Sequence, residues 1–135
     1  RYAGDIERAT PLLQDAKWEF ETLLQANPGN YAIIRSLCSI TGGLGELADA
    51  QKYCQQALQT APKDAFLAGI FKFDSATGLA LAGDAQASVD LLTAMLDSDV
   101  GPTIYPIMYH PAFDGIRSEP IFIEFMQQHA PEENR

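Results

Sequence analysis

The sequence predicts an all-α fold in which antiparallel helix pairs repeat along the chain and a capping helix closes the C-terminal end. Three observations predict this fold. Two stretches of the chain align with each other, apolar residues in them recur every three or four positions, and glycine or proline marks the expected helix ends. Because one helix pair cannot bury its apolar face alone, successive pairs are expected to stack as an α-solenoid.

The two aligned stretches are residues 16–28 and residues 50–62, each expected to form the second helix of a pair. Both begin with a small residue, Ala16 or Ala50, which lets the helix lie close to its partner. Both end at a proline, which lacks a backbone N–H and disfavours helical backbone in the residue before it. The same spacing therefore separates the two alanines and the two prolines, as expected of a repeat.

Four helices are expected between the first of these prolines and residue 96. Gly45 and Gly83 mark the turn inside each pair. Their separation exceeds that of Ala16 and Ala50 by about one helical turn, so the third pair is expected to absorb an extra turn in its first helix. The expected helices are Tyr31–Thr41, Glu46–Thr60, Ala65–Leu81 and Ala85–Leu96.

These elements give residues 1–97 a partial first repeat, a full second repeat over 29–62 and an elongated third repeat over 63–97. Because the chain opens at Arg1 rather than Met and its first unit looks incomplete, we expect a piece of a longer protein.

Residues 98–130 are expected to cross the end of the stack irregularly as far as Met108 and then to form capping helices. Pro111 suits the first turn of a short helix, and Ser118 is placed to cap the last one. Residues 131–135 are expected to fray.

The charge of the chain narrows the possible partners. Nine basic and 18 acidic residues give a net charge of −9, and the basic residues are scattered. Direct binding to nucleic acid or to anionic lipid is therefore not expected. The sequence also lacks the uninterrupted run of about 18 apolar residues that a membrane span needs, so membrane insertion is not expected.

The two cysteines, Cys38 and Cys54, fall on apolar helical faces. We interpret them as buried free thiols, which favours the cytoplasm. The alternative is a disulfide between adjacent helices, which would favour an oxidising compartment such as the periplasm.

No catalytic, cofactor-binding or metal-binding residue is predicted. The glycine-rich segment 42–45 lacks the lysine of a phosphate-binding loop and is interpreted as a helix turn. His110 is interpreted as a helix-start residue because no nucleophile is marked out beside it. Asp97 and Asp99 alone supply too few ligands for calcium.

The repeat resembles the tetratricopeptide repeat (TPR) family over residues 1–97. Besides the glycine turns, the matching positions are Ala16, Phe20, Pro28, Ala50, Ala57 and Pro62. The chain departs from the family in its first helices, and Ser88 stands where alanine is usual. The segment from His110 to Phe122 is similar to the one that ends many bacterial TPR regions in signalling or transcription-regulator proteins.

This resemblance implies a protein–protein interaction module whose first helices line a groove for a protein or peptide partner. The family register nominates Arg35, Ser39, Phe73 and Thr77 as groove residues. Arg35 is expected to pair with a carboxylate of the partner and Phe73 to serve as an apolar anchor. The alternative is that Phe73 lies in the core and Arg35 is an ordinary surface charge. The alternatives are a structural domain that caps or dimerises its parent protein and a helical domain that senses a small molecule; an enzyme is not expected.

Overall fold

The computed structural model describes residues 2–131 of the chain, with side chains from residue 7 onward, and this part contains helices and no strand. The helices are α1 (Tyr2–Ala26), α2 (Tyr31–Gly43), α3 (Leu47–Thr60), α4 (Ala65–Leu81), α5 (Ala85–Leu96), α6 (Ile104–Tyr109), a 3₁₀-helix (Pro111–Ile116) and α7 (Pro120–His129). The four helices predicted between residues 31 and 96 are confirmed to within two residues at each end.

The same turn joins α2 to α3 and α4 to α5. Gly45 and Gly83 adopt positive φ angles of 73° and 93°, which glycine reaches without the penalty of a Cβ atom. The hydrogen bonds of the two turns match: Gly45 N–H to Gly42 O and Gly83 N–H to Ala80 O, Glu46 N–H to Thr41 O and Asp84 N–H to Leu79 O. The two helix pairs are therefore equivalent around their turns.

Capping side chains fix where three of the helices begin. An oxygen of Asn30, Asp64 or Asp84 accepts a hydrogen bond from the backbone N–H three residues later, at 3.0–3.2 Å. Each cap satisfies an N–H that has no partner inside the helix.

The buried apolar residues form two clusters that meet at α4. The first joins α2, α3 and α4 through Leu37, Cys38, Tyr53, Cys54 and Leu79. The second joins α4 and α5 to the C-terminal helices, with Ala76, Ala80, Val89, Leu92, Met95, Ile107, Phe113, Ile116, Phe122 and Phe125. Residues 98–130 therefore cover the apolar faces of α4 and α5.

Ser88 is fully buried in α5. Its hydroxyl donates to the carbonyl oxygen of Ala76 in α4 at 2.8 Å. Because this bond satisfies the hydroxyl inside the core, serine is accommodated at the helix contact without an unpaired polar group.

The C-terminal segment differs from its prediction in two places. The short helix α6 lies within the stretch expected to be irregular, and it accommodates Pro106 in its first turn, where the missing N–H costs no helical hydrogen bond. The prediction that Ser118 caps the last helix is wrong. Pro120 occupies the first turn of α7, which makes Glu119 the capping residue. Residues 132–135 of the tail predicted to fray lie outside the described residues.

Candidate functional site

Two glycines bring α2 and α4 into close contact. A Cβ atom added at Gly42 would lie 2.8 Å from the Cα atom of Gly78 and 2.9 Å from its carbonyl carbon. Since both opposing atoms belong to the backbone, no side-chain rotation could relieve such a contact. Glycine at position 42 therefore sets how closely the two helices approach.

A disulfide lies directly beneath this helix contact. It joins Cys38 of α2 to Cys54 of α3, both completely buried and 16 residues apart in the chain. A Cβ atom at Gly78 would lie 2.9 Å from the Cys38 Sγ atom and 3.1 Å from the Cys54 Sγ atom. The interpretation of the cysteines as free thiols is wrong, and the disulfide alternative describes the structure.

Arg35 lies where α2 and α4 meet, and its side chain is 45% exposed. The Nε atom of Arg35 is 3.4 Å from a carboxylate oxygen of Asp74 in α4. The guanidinium carbon is 5.2 Å from the ring centre of Phe71, also in α4. These two contacts hold the guanidinium group in place while leaving it accessible to solvent.

Aromatic side chains extend this surface. Tyr31 is 46% exposed, and its ring centre is 5.9 Å from that of the buried Phe71. Ser39 and the exposed Leu67 follow at helical spacing, one turn away from Arg35 and Phe71. We call this surface the α2–α4 face and define it as Tyr31, Arg35, Ser39, Leu67, Phe71 and Asp74.

The carboxyl group of Asp74 lies in a partly buried environment. Burial raises its pKa above the ordinary value, although the nearby Arg35 and His110 oppose the increase. The guanidinium group of Arg35 carries five N–H donors, so it can contact Asp74 and still bind a second carboxylate.

The four nominated groove residues have different surroundings. Arg35 and Ser39 are exposed on α2. Phe73 is partly buried against the rings of His110 and Phe113, with ring centres 5.6 and 6.1 Å away. Thr77 is half-buried and donates to its own helix at the carbonyl oxygen of residue 74, at 2.7 Å. The structure brings Arg35 to the α2–α4 face, and the groove role of the four residues stays a prediction.

Sequence reasoning missed four members of the α2–α4 face, namely Tyr31, Leu67, Phe71 and Asp74. Tyr31 lies one helical turn before Arg35, so helical spacing could have identified it. Phe71 and Asp74 had no such signal, because their approach to Arg35 depends on how α2 crosses α4. The matching position to Arg35 in α4 is Phe73, whose ring packs against His110 and Phe113 of the following segment.

His110 caps the 3₁₀-helix, as the sequence predicted. Its Nδ1 atom accepts a hydrogen bond from the backbone N–H of Ala112 at 3.1 Å. Within residues 7–131, no three His, Cys, Asp or Glu side chains are grouped so that they could hold a metal ion. Over the same residues, no helix combines the length and the apolar character needed to cross a membrane.

Comparisons of the chain with models of known protein families, with curated proteins and with solved structures find no match.

Proposed function

We propose that this chain is a protein–protein interaction module whose α2–α4 face binds a segment of a partner protein. The observation that carries the proposal is the setting of Arg35, which is exposed to solvent yet held by Phe71 and Asp74. A long side chain that is already ordered loses less conformational entropy when it binds. Arginine and aromatic residues are also enriched among the residues that dominate interface energies.

The partner segment suited to this face carries a carboxylate beside an apolar side chain. The carboxylate would pair with the guanidinium of Arg35, and the apolar group would pack beside Tyr31 and Leu67. The negative charge of Asp74 repels any second acidic residue of the partner near this face. A partner segment with one carboxylate and an apolar neighbour therefore fits better than a run of acidic residues.

Several features support a TPR-like α-solenoid as the setting of this face, with residues 98–130 as its cap. The two helix-pair turns have matching hydrogen bonds, and the C-terminal helices pack on α4 and α5. The resemblance of the C-terminal segment supports a place in a larger bacterial regulator. The disulfide supports an oxidising compartment such as the periplasm.

A selection of random peptides displayed on phage, using the oxidised chain as bait, tests the proposal. Arg35→Glu should weaken binding of the selected peptides about tenfold or more, as expected for an arginine that anchors an interface. Lys52→Glu is the matched control, because it makes the same charge change on the exposed part of α3 outside the face. Circular dichroism checks that both variants stay helical.

The proposal fails if the selected peptides bind the Arg35→Glu and Lys52→Glu variants equally well. It also fails if the bound peptides protect a different surface from hydrogen exchange. A peptide that needs Arg35 but carries no carboxylate would contradict the proposed chemistry of the partner, although it would still support the α2–α4 face as the binding surface.

Self-association is a second candidate function, favoured by one face of α1. Leu12 and Leu23 are 71% and 49% exposed. They lie close to three full helical turns apart, which places them on the same side of the helix. Light scattering over a range of concentrations tests this candidate. A mass of 14.7 kDa at every concentration would exclude it, whereas a dimer that Leu12→Glu dissociates would support it.

A further inference from the structure

Helix α3 contacts α1 on one side and α5 on the other, and the two contacts use equivalent positions. A residue of α1 is matched to the residue of α3 that lies 34 positions later in the chain, which is the spacing from Ala16 to Ala50. A residue of α3 is matched to the residue of α5 that lies 38 positions later, which is the spacing from Gly45 to Gly83 in the two matching turns. We call the α1–α3 contact the first seam and the α3–α5 contact the second seam.

A lysine occupies the first seam. The Nζ atom of Lys17 is 2.6 Å from a carboxylate oxygen of Glu46 and 2.9 Å from one of Asp49. Its side chain is only 19% exposed, and the hydrogen bonds to Glu46 and Asp49 raise the pKa of its ammonium group above the ordinary 10.5. Beside it, the hydroxyl group of Tyr53 donates to the carboxylate of Glu21 at 2.6 Å. The first seam therefore carries its own cation.

The second seam has smaller, uncharged residues at three of the matching positions. Gln51 stands at the position of Lys17, Ala87 at that of Asp49, and Leu91 at that of Tyr53. The difference leaves an open groove of about 370 Å³, lined by these three residues together with Gln55, Leu58 and Leu79 and two carboxylates. The floor of the groove is apolar because three leucines line it.

The two carboxylates of the second seam belong to Asp84 and Asp90. Asp84 matches Glu46 of the first seam, and its carboxylate accepts hydrogen bonds from Gln51 and from the backbone N–H of Ala87. Asp90 stands where the first seam has a lysine at position 52, and it accepts one from Gln86. Among the described residues that line the groove, none is basic.

We propose that the second seam binds a lysine side chain of a partner protein. The four-carbon stem of that lysine lies along Leu58 and Leu91, and its ammonium group reaches the carboxylates of Asp84 and Asp90. The bound lysine thereby supplies the cation that Lys17 supplies within the chain at the first seam. A groove with an apolar floor and acidic rim suits a lysine, because that side chain buries its stem while its charged end stays near solvent.

This site is separate from the α2–α4 face and does not rest on the proposed function. The α2–α4 face lies on the first helices of the pairs, whereas the groove lies between the second helices α3 and α5. One partner could therefore contact both surfaces, or two partners could bind at once.

Titration of the full, oxidised, ¹⁵N-labelled chain with a blocked five-residue peptide tests the proposal by NMR. The peptide carries one central lysine between leucines, and its matched control carries norleucine there, which keeps the stem and removes the charge. We expect saturable shifts at the amides of Gln51, Gln55, Ala87 and Leu91. The norleucine peptide should bind about fivefold more weakly, as expected for loss of a partly exposed ion pair.

Gln51→Lys gives the second seam the cation of the first, and it should abolish the shifts caused by the lysine peptide. Gln127→Lys makes the same charge change on the exposed part of α7 and should leave the shifts unchanged. Leu91→Tyr, which fills the groove with the side chain found at Tyr53, should also abolish binding. Thermal unfolding confirms that each variant is folded.

Three outcomes would overturn the proposal. The first is equal binding of the lysine and norleucine peptides, which would show that charge has no part in recognition. The second is unchanged binding to the folded Gln51→Lys variant. The third is binding of spermidine as tight as that of the peptide, which would assign the groove to free amines rather than to a partner protein.

Discussion

The contact between α2 and α4 can be tested with two adjacent glycines that differ in their surroundings. A Cβ atom at Gly42 meets the backbone of Gly78, whereas one at Gly43 meets only the Cδ1 atom of Leu13, at 3.1 Å. Both glycines lie in α2, and neither has a positive φ angle. Alanine at either position therefore gains helix propensity, but only alanine at position 42 forces two helices apart.

The expected free energies follow from these two effects. Glycine to alanine inside a helix stabilises by up to about 1 kcal/mol, and less at a helix end such as residue 43. Overpacking costs about 1–3 kcal/mol, and the rigid backbone at Gly78 favours the upper value. We therefore expect Gly42→Ala to lower the free energy of unfolding by about 2 kcal/mol. Gly43→Ala should leave it unchanged or raise it by about 0.5 kcal/mol, because the end of a leucine side chain can move.

Urea unfolding of the oxidised protein, followed by far-ultraviolet circular dichroism, measures this difference. The midpoints should separate while the dependence on urea stays the same, since both variants expose similar surface on unfolding. The reasoning is refuted if the two variants differ by less than about 0.5 kcal/mol. Equal stabilities would mean that α2 and α4 do not approach as closely as Gly42 and Gly78 indicate.

Two further predictions concern the core around α3. Replacing Cys38 and Cys54 by alanine should lower the free energy of unfolding by about 3 kcal/mol, the loop-closure effect expected for a separation of 16 residues. Dithiothreitol should then destabilise the parent chain but not the variant in urea unfolding, and a fully reduced parent of unchanged stability would contradict this. Burial and the hydrogen bond to Glu21 raise the pKa of Tyr53, so its stabilising contribution is complete below the ordinary pKa of 10.0 and is lost as the pH rises above it. Tyr53→Phe should therefore reduce the decrease in the free energy of unfolding between about pH 8 and 11, measured by urea unfolding. An identical decrease in both proteins would show that Tyr53 does not cause it.

The bounds of the four helices between residues 31 and 96 were predictable from the sequence because their signals are local. Gly45 and Gly83 supply the positive φ angles of the turns, and the prolines and capping residues act within one helical turn of themselves. Even the insertion in the third pair was predictable, since it adds about one turn and preserves the buried side of α4.

The candidate site was less predictable because it depends on contacts between helices. The pairing of Cys38 with Cys54 requires the register of α2 against α3, which spacing along the chain does not give. Phe73 was nominated as an apolar anchor with a core position as the alternative, and the C-terminal segment supplies His110 and Phe113 as its neighbours. Local capping rules also failed at Ser118, where the proline two residues later set the start of α7.

The matching turns of the two helix pairs allow the groove between α3 and α5 to be compared with the contact between α1 and α3. At these positions the first seam has a lysine between two carboxylates. It also has a tyrosine whose hydroxyl group donates a hydrogen bond to a third carboxylate. The second seam keeps the acidic residue at the start of its helix and loses the lysine, so Asp84 has only neutral donors around it. Packing alone would favour apolar residues there, as at Leu58 and Leu91. Capping of α5 accounts for Asp84, and among the described residues that line the groove none supplies a cation to Asp90. Asp84 at the position of Glu46, together with Asp90 beside the same apolar groove, is the reason to expect a cation from outside the chain.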